Sequence, residues 1–193
     1  MTIPELATAL ALAWGAGIRL YAVLFLCGLC GRMGWIALPQ DLAVLAHPLV
    51  LGASGFMMLV EFFADKFPWV DSLWDAVHTF IRIPAGAALA ALAFGDSTSG
   101  FPAVAAILGG TVAAGAHFAK AGARGVINLS PEPVSNWSAS FTEDAAVPAG
   151  LWLAIFYPWV FLVLLGAGGL AAIFFIGWIM RGVSAVIRKY RLP

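Results

Sequence analysis

The chain has 193 residues, 62% of them hydrophobic and 10% charged, with a formal net charge of zero and a mean hydropathy of +0.95. Soluble domains carry about 45–50% apolar and about 25% charged residues, so this composition excludes an ordinary soluble fold and describes an integral membrane protein. The zero net charge also removes the basic face that nucleic-acid binding requires.

At about 20 apolar residues per spanning helix, the length predicts one all-α transmembrane domain over residues 1–193, a polytopic helix bundle of about six spans. The start lacks a basic segment followed by a small-residue cleavage site and reads as part of the first span. That span covers about Leu6 to Cys30 and contains Trp14-Gly15-Ala16-Gly17-Ile18-Arg19. Two glycines followed by a charge predict a break in the helix there. An arginine at that depth costs about 2.5–3.5 kcal/mol on insertion scales. Arg19 is therefore expected to face the interior and meet a carboxylate or an anionic ligand, the alternatives being a structural ion pair or snorkelling. Cys27 and Cys30 form a C-x-x-C with no second pair or nearby histidine, which favours packing over metal binding or redox chemistry.

A polar turn from Arg32 to Asp41 precedes the second span, about Leu42 to Ala64, whose end carries Glu61 and Asp65 at i, i+4. If the chain after Pro68 is helical, Asp71, Asp75, His78 and Arg82 fall at i, i+4, i+7 and i+11 and share one stripe, opposite Leu73, Val77, Phe80 and Ile81. A third span runs from Pro84-Ala85-Gly86 to about Gly95, the proline kinking a longer helix begun near Val70. Asp96 to Gly100 reverses the chain. The fourth span, about Pro102 to Gly122, is rich in small residues (Gly109, Gly110, Ala113, Ala114, Gly115), the signature of close helix packing. With so short a chain, this predicts a homo-oligomer, a dimer by default. His117, Lys120 and Arg124 share a face at its end.

A second polar block, Asn128 to Val147, is too polar to span, and its Ser130-Pro131-Glu132-Pro133 has turn chemistry. A fifth span over about Pro148 to Leu165, a tight turn at Gly166 to Gly169, and a sixth span over about Leu170 to Ile187 complete the expectation. Six spans put both termini on one side with Lys66, Arg82, Lys120, Arg124, Arg181, Arg188, Lys189 and Arg191, the cytoplasmic side by the positive-inside rule. Both polar blocks join a span that opens with Pro-Ala-Gly, at 84–86 and 148–150, and each has a tryptophan, Trp74 or Trp137, shortly before it. Such a weak internal repeat occurs in some transporter folds.

Glu61, Asp65, Asp71 and Asp75, with Glu132, Glu143 and Asp144 in the second block, supply hard oxygen donors. They suit Mg²⁺, Ca²⁺, Mn²⁺ or protons, so a divalent cation is the one cofactor this pattern suggests. The first four and Glu132 are the candidate metal ligands. His78, Arg82, Asn128, Ser135 and Asn136 are polar neighbours, while Arg19, His117, Lys120 and Arg124 are partners for the acids or a cradle for a lipid phosphate. No H-E-x-x-H, Walker motif, G-x-G-x-x-G or G-x-S-x-G is present, which leaves zinc hydrolysis, nucleotide coupling and α/β-hydrolase chemistry without support.

Glu61-Phe62-Phe63-Ala64-Asp65-Lys66-Phe67-Pro68, then Asp71, Trp74-Asp75, His78, Arg82, Pro84-Ala85-Gly86, Asn128-Leu129-Ser130-Pro131-Glu132-Pro133 and Ser135-Asn136, resemble the bacterial membrane family known as domain of unknown function 4126. The resemblance covers most of the chain and implies a polytopic inner-membrane protein with no assigned activity. Glu61 to Lys66 is also similar to the E-x-G-D-K motif of small manganese and calcium exporters, without the glycine and with one extra residue between the acids. Ser130-Pro131-Glu132 is similar to the proline-glutamate signature of sodium/calcium exchangers. Neither short match carries site residues over. The expected function is a small transporter or channel for a cation, divalent or proton-linked, acting through the clustered carboxylates. A lipid-handling enzyme or flippase and a non-catalytic scaffold are the alternatives, with membrane lipid as a partner in each case.

Overall fold

The computed structural model describes residues 2–94, 100–129 and 133–190. Among them there are helices and no strands: α1 (Ile3–Arg32), a short 3-10 helix (Gln40–Ala46), α2 (Pro48–Ala64), α3 (Pro68–Leu92), α4 (Phe101–Ile127), α5 (Pro133–Phe156) and α6 (Pro158–Tyr190). Proline stands at the start of most of them because its missing N–H and fixed φ suit the first helical turn. Thr2 and Glu5 close the start of α1 with a reciprocal capping box.

α1 is not one straight crossing. Arg19 has φ −141° and ψ 76°, outside the helical region, and the chain folds back there. A methyl placed on Gly15 would lie 2.7 Å from Val23 Cγ2, although eight residues of continuous helix rise about 12 Å. Pro4, Thr8 and Leu12 line the same cavity as Cys27 and Trp35. The first arm runs alongside α4, with Leu6 beside Val104 and Phe101 and Ile18 beside Lys120. The second arm returns along α2, from Tyr21 near His78 to Gly28 against Leu45 and Leu51. Both ends of α1 thus lie at one end of the bundle and its apex, Arg19, lies towards the other. The expected N-terminus beside the charged blocks is replaced by one at the far end.

Two helices, Ile3–Arg32 and Phe101–Ile127, are long and apolar enough to cross a bilayer by length and composition, with a third if the 3-10 helix and α2, bent by 68°, count as one span. The fold at Arg19 removes the first from that count as a simple crossing. Three boundaries also differ from expectation. α2 begins at Pro48 rather than Leu42. The second polar block is helical from Pro133, continuous through Pro148 to Phe156. Gly166 to Gly169 lie inside α6, and the break falls at Tyr157, before Pro158, where a proline disfavours helix for the preceding residue. Asp96 and Ser130 to Glu132 lie outside the described residues.

Large apolar side chains point outward along the bundle: Phe56, Leu73, Phe80, Ile107 and Val163 are all more than half exposed. That surface suits lipid and not water. Exposed Trp69 and Trp137 mark one end, and Trp35, Tyr157 and Trp159 the other, as in interfacial aromatic belts. From Trp137 to Tyr157 the helix rise is about 30 Å, the thickness of a hydrocarbon core.

The small residues of α4 are spent mostly inside the molecule. Gly109 packs on Ala90, Gly86 on Ala113, and Gly17 on the Ala113 backbone, so α1, α3 and α4 approach closely. Gly115, Gly122 and Gly125 face open space. Gly17→Ala, whose methyl meets the Ala113 carbonyl oxygen, is expected to destabilise the protein by about 1–3 kcal/mol. Gly115→Ala is expected to be neutral or stabilising by up to about 1 kcal/mol. Unfolding in mixed micelles measures both, and equal effects would contradict the packing.

Candidate functional site

Every element of the cluster end sends charge inward. The α3 stripe is as the spacing predicts: Asp71, Asp75, His78 and Arg82 are all buried, as are Glu61 on α2 and Asp65 at its C-cap, His117, Lys120 and Arg124 on α4, and Arg19 at the α1 apex. From Asp71 to Arg82 the stripe climbs about 16 Å along α3, so the charges extend well into the lipid-facing part of the bundle. The described part of the polar blocks thus turns its charged side chains towards the inside of the bundle. α5 explains why: Asn136, Ser140, Val147, Leu151 and Ala154 are buried, with Glu143 and Asp144 beside them, a helical face whose polar half meets the cluster.

In the deepest layer Arg82 bridges Glu61 (2.7 Å) and Asp75 (2.6 Å). His117 Nε2 lies 2.7 Å from Thr79 Oγ1, and that hydroxyl already donates to the Asp75 carbonyl at 3.0 Å. His117 Nδ1 lies 3.4 Å from Arg82 Nη1. The adjacent guanidinium disfavours a second proton on the ring, so His117 is neutral in this arrangement. His78 Nδ1–H donates to the Trp74 carbonyl at 2.8 Å, leaving Nε2 to accept from the Tyr21 hydroxyl at 3.2 Å, while its ring stacks on Trp74.

The middle layer centres on Asp65. Its Oδ2 lies 2.9 Å from Arg19 Nη1, 2.8 Å from Lys120 Nζ and 3.5 Å from Arg124 Nη2. Lys120 also reaches Asp75 (3.4 Å), Glu143 (3.4 Å) and the Ile18 carbonyl (3.4 Å) freed by the break in α1. Arg19 continues to Asp144 (3.0 Å) and Ser140 (3.1 Å). Lys66 lies over the Phe62 ring and reaches Ser140 and, at 3.8 Å, Asp144. At the end of the cluster Arg124 binds Glu143 through Nε (2.9 Å) and Nη2 (3.3 Å). Asn128 donates to Asp71 (3.0 Å) and the Pro68 carbonyl, and Asn136 sits 2.8 Å from Asn128 and from the Asp65 carbonyl.

The structure thus gathers all the predicted site residues except two. Ser135 is on α5, but its buried hydroxyl has no partner in the cluster, and Glu132 lies outside the described residues. Ser140, Thr79 and Tyr21 join without having been singled out, Lys66 joins them from among the basic residues, and Glu143 and Asp144, counted only as acids, become principal partners. Their signal was available: read as a helix, 136, 140, 143 and 144 share the face of 147, 151 and 154.

A divalent cation does not fit this donor set. Among the described residues no three His, Cys, Asp or Glu side chains converge as metal ligands, and the acids alternate with five cationic side chains. Arg19, Lys120 and Arg124 each lie within 4 Å of three carboxylates, so none is free to cradle a phosphate. Removing one partner from such a buried set leaves an uncompensated charge, at a cost of about 3–5 kcal/mol. Lys120→Ala and Asp65→Ala are expected to lose stability on that scale, and Ser135→Ala to change it by less than about 0.5 kcal/mol. Unfolding in mixed micelles that ranked Ser135→Ala with the other two would contradict the network.

The chain matches the family described as domain of unknown function (DUF4126) over residues 6–179. No curated protein and no solved structure matches it.

Proposed function

We propose for this chain, which belongs to the DUF4126 family, the role of a small membrane transporter or channel for a monovalent cation, proton-linked, with the buried charge cluster as its working part. The observation that carries this reading is the break at Arg19, which brings the apex of a folded-back helix into a cluster of acids and bases between lipid-facing helices. Broken helices that meet ionisable side chains inside the membrane are the usual way transporters build an ion site. One oxygen on each of Glu61, Asp65, Asp71, Asp75 and Asp144 has no hydrogen-bond donor, which leaves a series of proton-accepting positions along the cluster.

The divalent form of the reading is the weaker one, because the acids already face bases. The lipid-handling alternative loses its phosphate cradle for the same reason. The two Pro-Ala-Gly stretches, Gly86 against Ala13 and Gly150 against Trp14, support an internal repeat packed around the first arm of α1. We further place the chain in the bacterial inner membrane with the cluster end cytoplasmic. Arg82, Lys120 and Arg124, three of the basic residues behind that orientation, are buried, so labelling must carry it: a cysteine at exposed Leu129 that reacts with an impermeant reagent from the periplasm would reverse the assignment.

Liposomes holding the purified protein and a pH-sensitive dye are expected to show cation-driven proton flux above empty liposomes. Arg19→Lys keeps the charge but loses the second limb of the fork to Asp65 and Asp144, and should lower the flux about tenfold, equivalent to ~1.4 kcal/mol. Mg²⁺, Ca²⁺ and Mn²⁺ are expected to give no thermal stabilisation. Absence of flux for protons and for sodium would end the transport reading and leave the scaffold.

A further inference from the structure

We propose that the cluster binds one monovalent cation, a proton or a sodium ion, and that Asp71 is the side chain that holds it. Among the described residues six carboxylates (Glu61, Asp65, Asp71, Asp75, Glu143, Asp144) meet five cationic side chains (Arg19, Lys66, Arg82, Lys120, Arg124). His117 is neutral beside the Arg82 guanidinium, and the neutral form of His78 satisfies both of its hydrogen bonds. Among these described residues one negative charge is left over, and on a buried side chain an uncompensated ion is far more costly than at a surface.

The geometry points to the residue that carries it. Each of the other five acids has a cationic nitrogen within 3.0 Å: Glu61 at 2.7, Asp65 at 2.8, Asp75 at 2.6, Glu143 at 2.9 and Asp144 at 3.0 Å. Asp71 has only Arg124 Nε, at 3.8 Å. That nitrogen carries a single hydrogen, and it is directed to Glu143 at 2.9 Å. Among the described residues the sole side-chain donor to Asp71 is the Asn128 amide, on Oδ2, and the buried Oδ1 has no hydrogen-bond partner.

The groups around Asp71 add to the deficit. Asp75 stands one turn on in α3 and Asp65 faces it from just after α2, both negative, while among the described residues Arg124 of α4 is the only cation near and is shared with Glu143 of α5. Asn128 and Asn136 are neutral. Access is short: Asp71 lies in the first turn of α3, and Asn128 connects it to exposed Ser72 at the end of the bundle. A proton on Oδ1 makes the side chain neutral, and a sodium ion there cancels its charge. The inference rests on the transport reading only for what the bound cation does, because its binding is an equilibrium property of the purified protein.

Infrared spectra of the full chain in detergent, in sodium-free buffer at neutral pH, are expected to contain the carbonyl band of a buried protonated carboxyl. The band should vanish in Asp71→Asn and persist in Asp41→Asn, an exposed acid outside the cluster. If sodium chloride removes the band in the wild type, sodium exchanges for the proton; if the band stays, the proton is the occupant. A site filled by sodium alone shows no band and instead broadens the ²³Na resonance, an effect that Asp71→Asn should abolish. Asn mimics the neutral acid and relieves the excess charge, so this variant is expected to fold at least as well as the wild type. The inference is overturned if the wild type shows neither signal, if Asp71→Asn keeps either at wild-type strength, or if that variant does not fold. Flux without either signal would overturn the Asp71 assignment alone, and either signal without flux the transport reading alone.

Discussion

The contact on which this structure depends is the one between Asp65 and the three cations around it, Arg19, Lys120 and Arg124. A helix that breaks inside a bilayer frees backbone groups and, here, exposes a guanidinium, both of which need partners that lipid does not offer. Asp65 supplies the charge, and Lys120, held between Asp65 and Asp75, also donates to the orphaned carbonyl of Ile18. Buried ion pairs of this kind add little net stability, since desolvation offsets most of their attraction, yet losing one partner is severe. The cluster is therefore better understood as a device than as a source of stability.

Close packing makes room for it. Glycine and alanine where α1, α3 and α4 meet let the backbones approach until there is no space for a methyl at Gly17, and the long side chains of the cluster end then cross the remaining gaps. Towards lipid the same helices present Leu73, Phe80, Ile107 and Val163. A helix in this molecule thus has three environments along its sides and length: lipid, small-residue packing and internal charge.

The sequence carried much of this in its local periodicity. The stripe of Asp71, Asp75, His78 and Arg82, the shared face of His117, Lys120 and Arg124, and the break at Arg19 follow from helical spacing and the two glycines, because those are one-helix properties. What the chain did not reveal was pairing. Polarity in 128–147 resembles a water-exposed loop when the partner for Glu143 and Asp144 is not known, and only the arrival of Arg124 and Arg19 from other helices makes that polarity internal. The fold-back of α1 was hidden for a related reason: a mainly apolar stretch of 30 residues satisfies the length of a crossing whether it runs straight or returns.

The direct test of the account is the shape of α1, since the cluster exists only if Arg19 is an apex. Spin labels at Pro4 and Trp35, which line one cavity, give that shape through a pulsed dipolar distance in lipid nanodiscs. A folded-back helix places the two labels near each other, within about 20 Å after allowance for a 10–12 Å helix diameter. A distance of about 40 Å or more, the rise of an unbroken helix of this length, would contradict the fold and with it the buried cluster.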